Sequence, residues 1–255
     1  MHGTMAHDSD DPPMSNARHP SPVAPAEVDA AEIERRLTAF LQSRLGLWPP
    51  RKPFEVVRWP VRDEPMWDGS LRPVVGIESP LGTVLSVSPT LFPALDEIDL
   101  VRLEDELGTA DGYMTIPELF GRPDMHFGRA VFRYVARPAE LPDIGEWVPH
   151  DDPRLPAWLR PFGGEVLVVW DDDGQYAAGV GLKKHNRFGH EISVGTEPAH
   201  RGKGLARMLV AQAARTVLRD GAVPIYLHSD RNAASKRVAE QAGFPDRGWH
   251  LIELR

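Results

Sequence analysis

The chain of 255 residues contains no cysteine. That removes disulfides, cysteine-ligated zinc and a thiol nucleophile together. No apolar run approaches the ~18 residues that a membrane span requires. The opening stretch, MHGTMAHDSDDPPMSNARHP, has no apolar segment of the kind a secretory leader carries. Positive charge is not in surplus either: 29 Lys and Arg stand against 37 Asp and Glu, a net of −8. A chain of that sign is a poor partner for a nucleic-acid backbone, where each contact relies on Lys or Arg displacing counterions. A small cationic amine suits it better. The expectation is a soluble cytoplasmic protein with neither a membrane nor a nucleic-acid partner, and no pattern encodes its oligomeric state.

What is present can fill a core, since 42% of the residues are hydrophobic. Residues 1–27 are polar and Pro-rich and read as a disordered tail. A helix is expected after Asp29 as N-cap, with Glu32 three residues on and Ile33, Leu37, Phe40, Leu41 and Leu45 at helical spacing before Gly46. Strands are expected at 54–58, 72–78 and 83–87, the last two joined by a turn at 79–82, and an acidic helix at 95–107. These place an α/β accessory subdomain at 28–127, with a supporting or substrate-shaping role. The second unit, 128–255, opens with a strand at 130–136. Six prolines follow between 138 and 162, with a short helix expected at 156–160. Strands at 165–170, 175–183 and 190–196 then read as an antiparallel meander. A helix through Arg219 carries an apolar ridge of Leu205, Leu209, Ala213 and Val217. It is followed by a strand at 224–228, a helix at 232–242 with Ala234, Val238 and Ala242 on one side, and a closing strand at 249–254. Strands first, then alternating helix and strand, imply a mixed α/β fold.

The segment Glu197-Pro198-Ala199-His200-Arg201-Gly202-Lys203-Gly204-Leu205-Ala206 joins a strand to a helix. Glycines let backbone N–H groups converge on an anion, the helix start adds its positive dipole end, and Arg201 and Lys203 add full charges. A phosphate or pyrophosphate fits such a turn, although a helix reached by a tight turn needs no ligand. It is not a Walker A loop, because Gly204 follows Lys203 where Ser or Thr is required. Nor is it the dinucleotide fingerprint, because Arg207 stands where the third glycine belongs.

Arg201-x-x-Gly204-x-Ala206 resembles the acyl-CoA signature of the GNAT N-acetyltransferases. The likeness extends to Pro198 before it, to Asn232 after the next strand and to Gly243-Phe244 after the last helix. It covers roughly 128–255 and implies a GNAT-like, mostly antiparallel mixed sheet flanked by helices. By that resemblance Val194, Gly195 and Thr196, on a strand splayed from its neighbour, pair with the pantetheine arm of acetyl-CoA. Arg201, Gly202, Lys203, Gly204, Leu205 and Ala206 hold the pyrophosphate, and Asn232 bonds the arm. The implied reaction is direct acetyl transfer from acetyl-CoA to an amine in a ternary complex. An acyl-CoA-binding sensor without turnover is the alternative.

Transfer needs a neutral amine, so a proton must leave an ammonium of pKa about 10. Glu191 is the first candidate base, with His190 beside it at the start of the strand and Glu197 just after the strand's end. The departing thiolate needs a donor. Where many GNAT members place a Tyr, this chain has Ala239, which leaves Ser235, Tyr226 or water. His228 reads as a satisfied structural residue. His185 and His190 lack a third ligand at metal spacing, so no metal is expected. The motif describes the coenzyme side of the cleft and leaves the acceptor open among aminoglycoside, polyamine, protein amino terminus and lysine side chain.

Overall fold

The computed structural model describes residues 29–91, 100–107, 109 and 112–255. The tail expected at 1–27 and the first residues of the helix expected at 95–107 lie outside them. The first helix, α1 (Ala30–Leu45), starts as its sequence dictates. The Asp29 side chain accepts from the Ala31 N–H, and Gly46 ends the helix at φ 82°, its N–H bonded to the Gln42 carbonyl. Its apolar stripe is buried throughout.

Ten strands form one sheet: β1 (Phe54–Arg58), β2 (Val74–Ser79), β3 (Gly82–Val87), β4 (Phe127–Tyr134), β5 (Glu146–Pro149), β6 (Glu165–Trp170), β7 (Tyr176–Asn186), β8 (Gly189–Thr196), β9 (Val223–His228) and β10 (His250–Leu254). Their order is β1-β3-β2-β10-β4-β9-β8-β7-β6-β5. Among the described residues only β1 with β3 and β8 with β9 run parallel. The final strand joins the two halves, since β10 pairs antiparallel with β2 on one side and with β4 on the other. Strands of the N-terminal half therefore continue the same sheet.

The helices α2 (Leu100–Leu107) and α3 (Gly112–Leu119) cover β1 to β4 and β10 through Leu103, Leu107, Ile116 and Phe120. The meander packs against α4 (Leu205–Arg219) and α5 (Ala233–Gln241). On the opposite face α1 lies against Val75, Ile77, Phe132, Tyr134 and Ile225. A 3₁₀ turn, Ala157–Phe162, covers the outer strands through Leu159 and Phe162. Helix α3 was not legible because Pro117 sits inside it, and burial of Ile116 and Phe120 outweighs the lost hydrogen bond. Strand β5 was masked by the surrounding prolines. One residue of a helix face is corrected: Ala234 is exposed, while Val238 packs on the core and Ala242 is buried as expected, and α5 buries Ala239 as well. No helix among the described residues is long and apolar enough to cross a membrane.

Because α1 is part of the common core, Leu37→Ala should destabilise the whole chain by about 2–5 kcal/mol. The exposed Leu81, 61% accessible, should tolerate the same change within about 0.5 kcal/mol. Denaturant unfolding of both variants checks this. A Leu37→Ala protein as stable as the parent would mean that α1 is not part of that core.

Candidate functional site

The parallel ladder between β8 and β9 is brief. It registers Gly189 with Val223, His190 with Pro224 and Glu191 with Ile225, and then stops. Past that point β8 stays with β7 as far as Thr196, while β9 follows β4 to His228. Each strand keeps its other partner, so a gap opens inside the sheet. The facing edges carry backbone groups with no ladder partner, which must be met by water or a ligand.

Two cavities meet at this gap. The outer one, about 720 Å³, is lined by Val194, Gly195, Thr196, Arg201, Gly202, Lys203, Gly204, Leu205, Ala206 and Asn232, with Arg207 and Ser235. The inner one, about 460 Å³, contains Glu191 and lies on the α1 side. Val194, Tyr226 and Ser235 line both. The fold thus gathers the coenzyme-side residues expected from sequence in one cleft, with Ser235 at the junction and Glu191 beyond it.

The loop is built as an anion cradle. Gly202 and Gly204 sit at φ 79° and 78°, the left-handed region that side chains resist. Gly204 is the N-cap of α4, the first turn has no acidic residue and no side chain caps it. Its first N–H groups and the positive dipole end therefore face the cleft uncompensated. Arg207 lines the same cleft with its Nε buried and without a partner, a polar atom that an anion would satisfy. Sequence reading took Arg207 only as a departure from a glycine pattern, and its place in the first turn of the helix was the available signal. Across the cleft, the Asn232 side-chain oxygen accepts from the Ser235 N–H and caps α5, which leaves the amide NH₂ to donate elsewhere. Gly195 is required for space, since a Cβ there would stand 2.7 Å from the Trp158 ring.

At the junction the Tyr226 hydroxyl and Ser235 Oγ are 2.8 Å apart. Burial raises the Tyr226 phenol above its ordinary value, so it keeps its proton at neutral pH. Ala239 is fully buried in the core cluster that also holds Tyr226. The phenol near the cleft is therefore supplied by β9 rather than by α5.

Of the three candidate bases only Glu191 lines a cavity. Its two oxygens are taken, one by Lys183 Nζ and the other by His185 Nε2 at 3.0 Å. Burial pushes the carboxyl up, but the His185 hydrogen bond and the Lys183 charge outweigh it and bring it down to about 2. His185 is itself held below its ordinary value by burial and then by Arg44. His228 lines the inner cavity, and both of its ring nitrogens are bonded. Arg133 Nε, which can only donate, bonds its Nε2 at 2.9 Å, so Nδ1 carries the proton and donates to the Ser229 carbonyl at 3.0 Å. The inner cavity also has walls that sequence reading missed. Arg44 comes from α1, Trp67 and Asp68 from the segment between β1 and β2, and Lys183 from β7. Trp67 stacks on Phe162 at 5.5 Å between ring centroids.

Residues 132–244 match the family model described as Acetyltransferase (GNAT) family. No curated protein matches the chain. Among solved structures, the chain is similar to a GNAT-family protein of Novosphingobium aromaticivorans, with 23% identity over 52% of this chain and 67% of that one and a TM-score of 0.37. It is similar to a Salmonella typhimurium protein solved with its cofactor acetyl-CoA, with 26% identity over 35% of this chain and 61% of that one and a TM-score of 0.30. A GCN5-related N-acetyltransferase-like protein of Streptococcus suis aligns over 89% of this chain and 100% of its own, with 18% identity and a TM-score of 0.45.

The Glu191 cluster has a measurable pH signature. A carboxyl lowered from 4.5 to about 2 contributes stability that is complete above about pH 4.5 and is lost as pH falls toward 2, amounting to ~3 kcal/mol. Unfolding free energy measured across that window should therefore fall more steeply for the parent than for Glu191→Gln, by about that amount. Equal slopes would show that the carboxylate is not held in this way.

Proposed function

We propose that the chain, whose residues 132–244 match the GNAT-family acetyltransferase model, transfers an acetyl group from acetyl-CoA directly to an amine, both bound at once. The observation that carries this reading is the meeting of two cavities at the β8–β9 gap, with Val194, Tyr226 and Ser235 common to both. A sensor needs only the outer cleft. A second chamber opening at the same point is what a transfer between two bound molecules requires.

The cradle fits the coenzyme. Backbone N–H groups from Gly202 to Arg207, the α4 dipole and the unpartnered Arg207 Nε match a pyrophosphate. The open β8 edge at Val194, Gly195 and Thr196 can hydrogen-bond an extended amide arm as an added strand, and the free NH₂ of Asn232 can donate to it. Bound acetyl-CoA would supply an activated acetyl group on a thioester, which an amine accepts with loss of one proton and release of the thiol. Ser235, paired with Tyr226, holds a proton at the junction and is assigned as donor to the leaving sulfur. Glu191 is reassigned from base to anchor. A carboxyl near 2 binds a proton too weakly to take one from an ammonium of pKa about 10, and its oxygens already hold Lys183 and His185 in place.

Calorimetric titration with acetyl-CoA tests the cradle. Arg207→Ala should weaken binding roughly ten- to hundredfold, the range of a charge-assisted hydrogen bond. It should leave the unliganded protein as stable as before or more so, because a buried donor without a partner is removed. Ser235→Ala should bind acetyl-CoA normally and release thiol at least tenfold more slowly with an accepting amine. Failure of the parent protein to bind acetyl-CoA would end this reading.

A further inference from the structure

The inner cavity has an unbalanced charge. Most of its cations are committed: Arg72 to Glu253 at 3.3 Å and to Asp68 at 3.4 Å, Arg255 to Glu253 at 2.6 Å, Arg129 to Glu78 at 3.0 Å, and Lys183 to Glu191. Arg44 is different. Half-buried at the end of α1, it lines the cavity, and among the described residues it makes no hydrogen bond or ion pair; its guanidinium lies 5.8 Å from the Phe40 ring centroid. A second arginine, Arg62, is 2% exposed, and its Nε and Nη1 have no partner. Burial, and then repulsion from Arg44, bring the Arg62 guanidinium down to about 10. Burial likewise lowers Arg44, against the charges of Glu191 and Glu253, which raise it without bonding it, and with repulsion from Arg72.

A lone basic residue in a last helical turn is ordinarily explained by the helix dipole. That explanation needs only an exposed charge. It does not account for placing Arg44 half-buried against a cavity wall, with the Arg62 guanidinium close enough to feel its charge. Buried charges are tolerated when they are paired, and the Glu191 carboxylate is already held by Lys183 and His185. What would complete this corner is an anion from outside the chain.

We propose that the acceptor amine carries an oxyanion group, a carboxylate or a phosphoryl group, which Arg44 binds while the amine reaches the junction at Val194, Tyr226 and Ser235. The planar guanidinium suits a two-oxygen acceptor, and Arg62 adds to the positive field behind it. The inference rests on the transfer reading for its amine and goes past it in naming the acceptor's second group. Net charge left room for a small cationic amine: the chain is acidic overall, but this corner of the cavity is not.

The probes are ω-amino carboxylates of two to six carbons, the corresponding aminoalkyl phosphonates, plain alkylamines and diamines. Each is read twice, by thiol release with acetyl-CoA and by calorimetric binding without it. The parent should favour anionic amines over alkylamines of equal length by roughly ten- to hundredfold, and the better of carboxylate and phosphonate identifies the oxyanion. Arg44→Met should erase the preference, chiefly through KM, and Arg44→Glu should move it toward diamines. Circular dichroism of both variants establishes that they fold. Preference of the parent for alkylamines or diamines, binding of no member of the series, or a preference that survives in Arg44→Met would overturn the inference. Discrimination in binding without any thiol release would uphold the anion site and remove the transfer reading instead.

Discussion

A ladder that stops in the middle of a sheet is costly unless something replaces its hydrogen bonds, and that cost organises this molecule. Strands β8 and β9 pair at three positions and then follow their outer neighbours, β7 and β4. The gap is held open from both sides by complete ladders, so closing it would break more pairing than it restored. It is also where the two cavities join. The glycine turn, the α4 start and the Tyr226–Ser235 pair all take their positions from it.

The N-terminal half takes part in the same construction. Its hairpin of β2 and β3 is joined to the rest through β10, and α1 rests on the face where the inner cavity opens. Arg44, Trp67 and Asp68 reach that cavity because the sheet carries their supporting elements there. Stacking of Trp67 on Phe162 connects this wall to the 3₁₀ turn above the meander. The N-terminal half thus helps wall the inner cavity, while the outer one is lined by the C-terminal half.

Charge behaves differently at the two scales. A net of −8 sets the field far from the surface. Within a few ångströms, pairing decides, and the inner cavity's carboxylates are occupied by neighbouring cations while Arg44 is not. Glu191 shows the same effect. Its residue type invited a role as base, and its partners give it the proton affinity of a fixed anion.

The sequence by itself determined the local devices. The N-cap and apolar stripe of α1, the meander and the glycine turn each depend on residues within a few positions of one another, where backbone conformation and dipoles act. That is why the glycine turn was legible as an anion site, while Val194, Gly195, Thr196 and Asn232 were expected only from the family resemblance. The face of α5, the buried Arg207 Nε, the pairing of Tyr226 with Ser235 and the whole inner cavity were decided only by the tertiary structure. Residues 44, 67, 183 and 226 share no sequence spacing. They meet because ten strands order themselves through long-range pairing, and burial and proton affinity follow from what that ordering brings close.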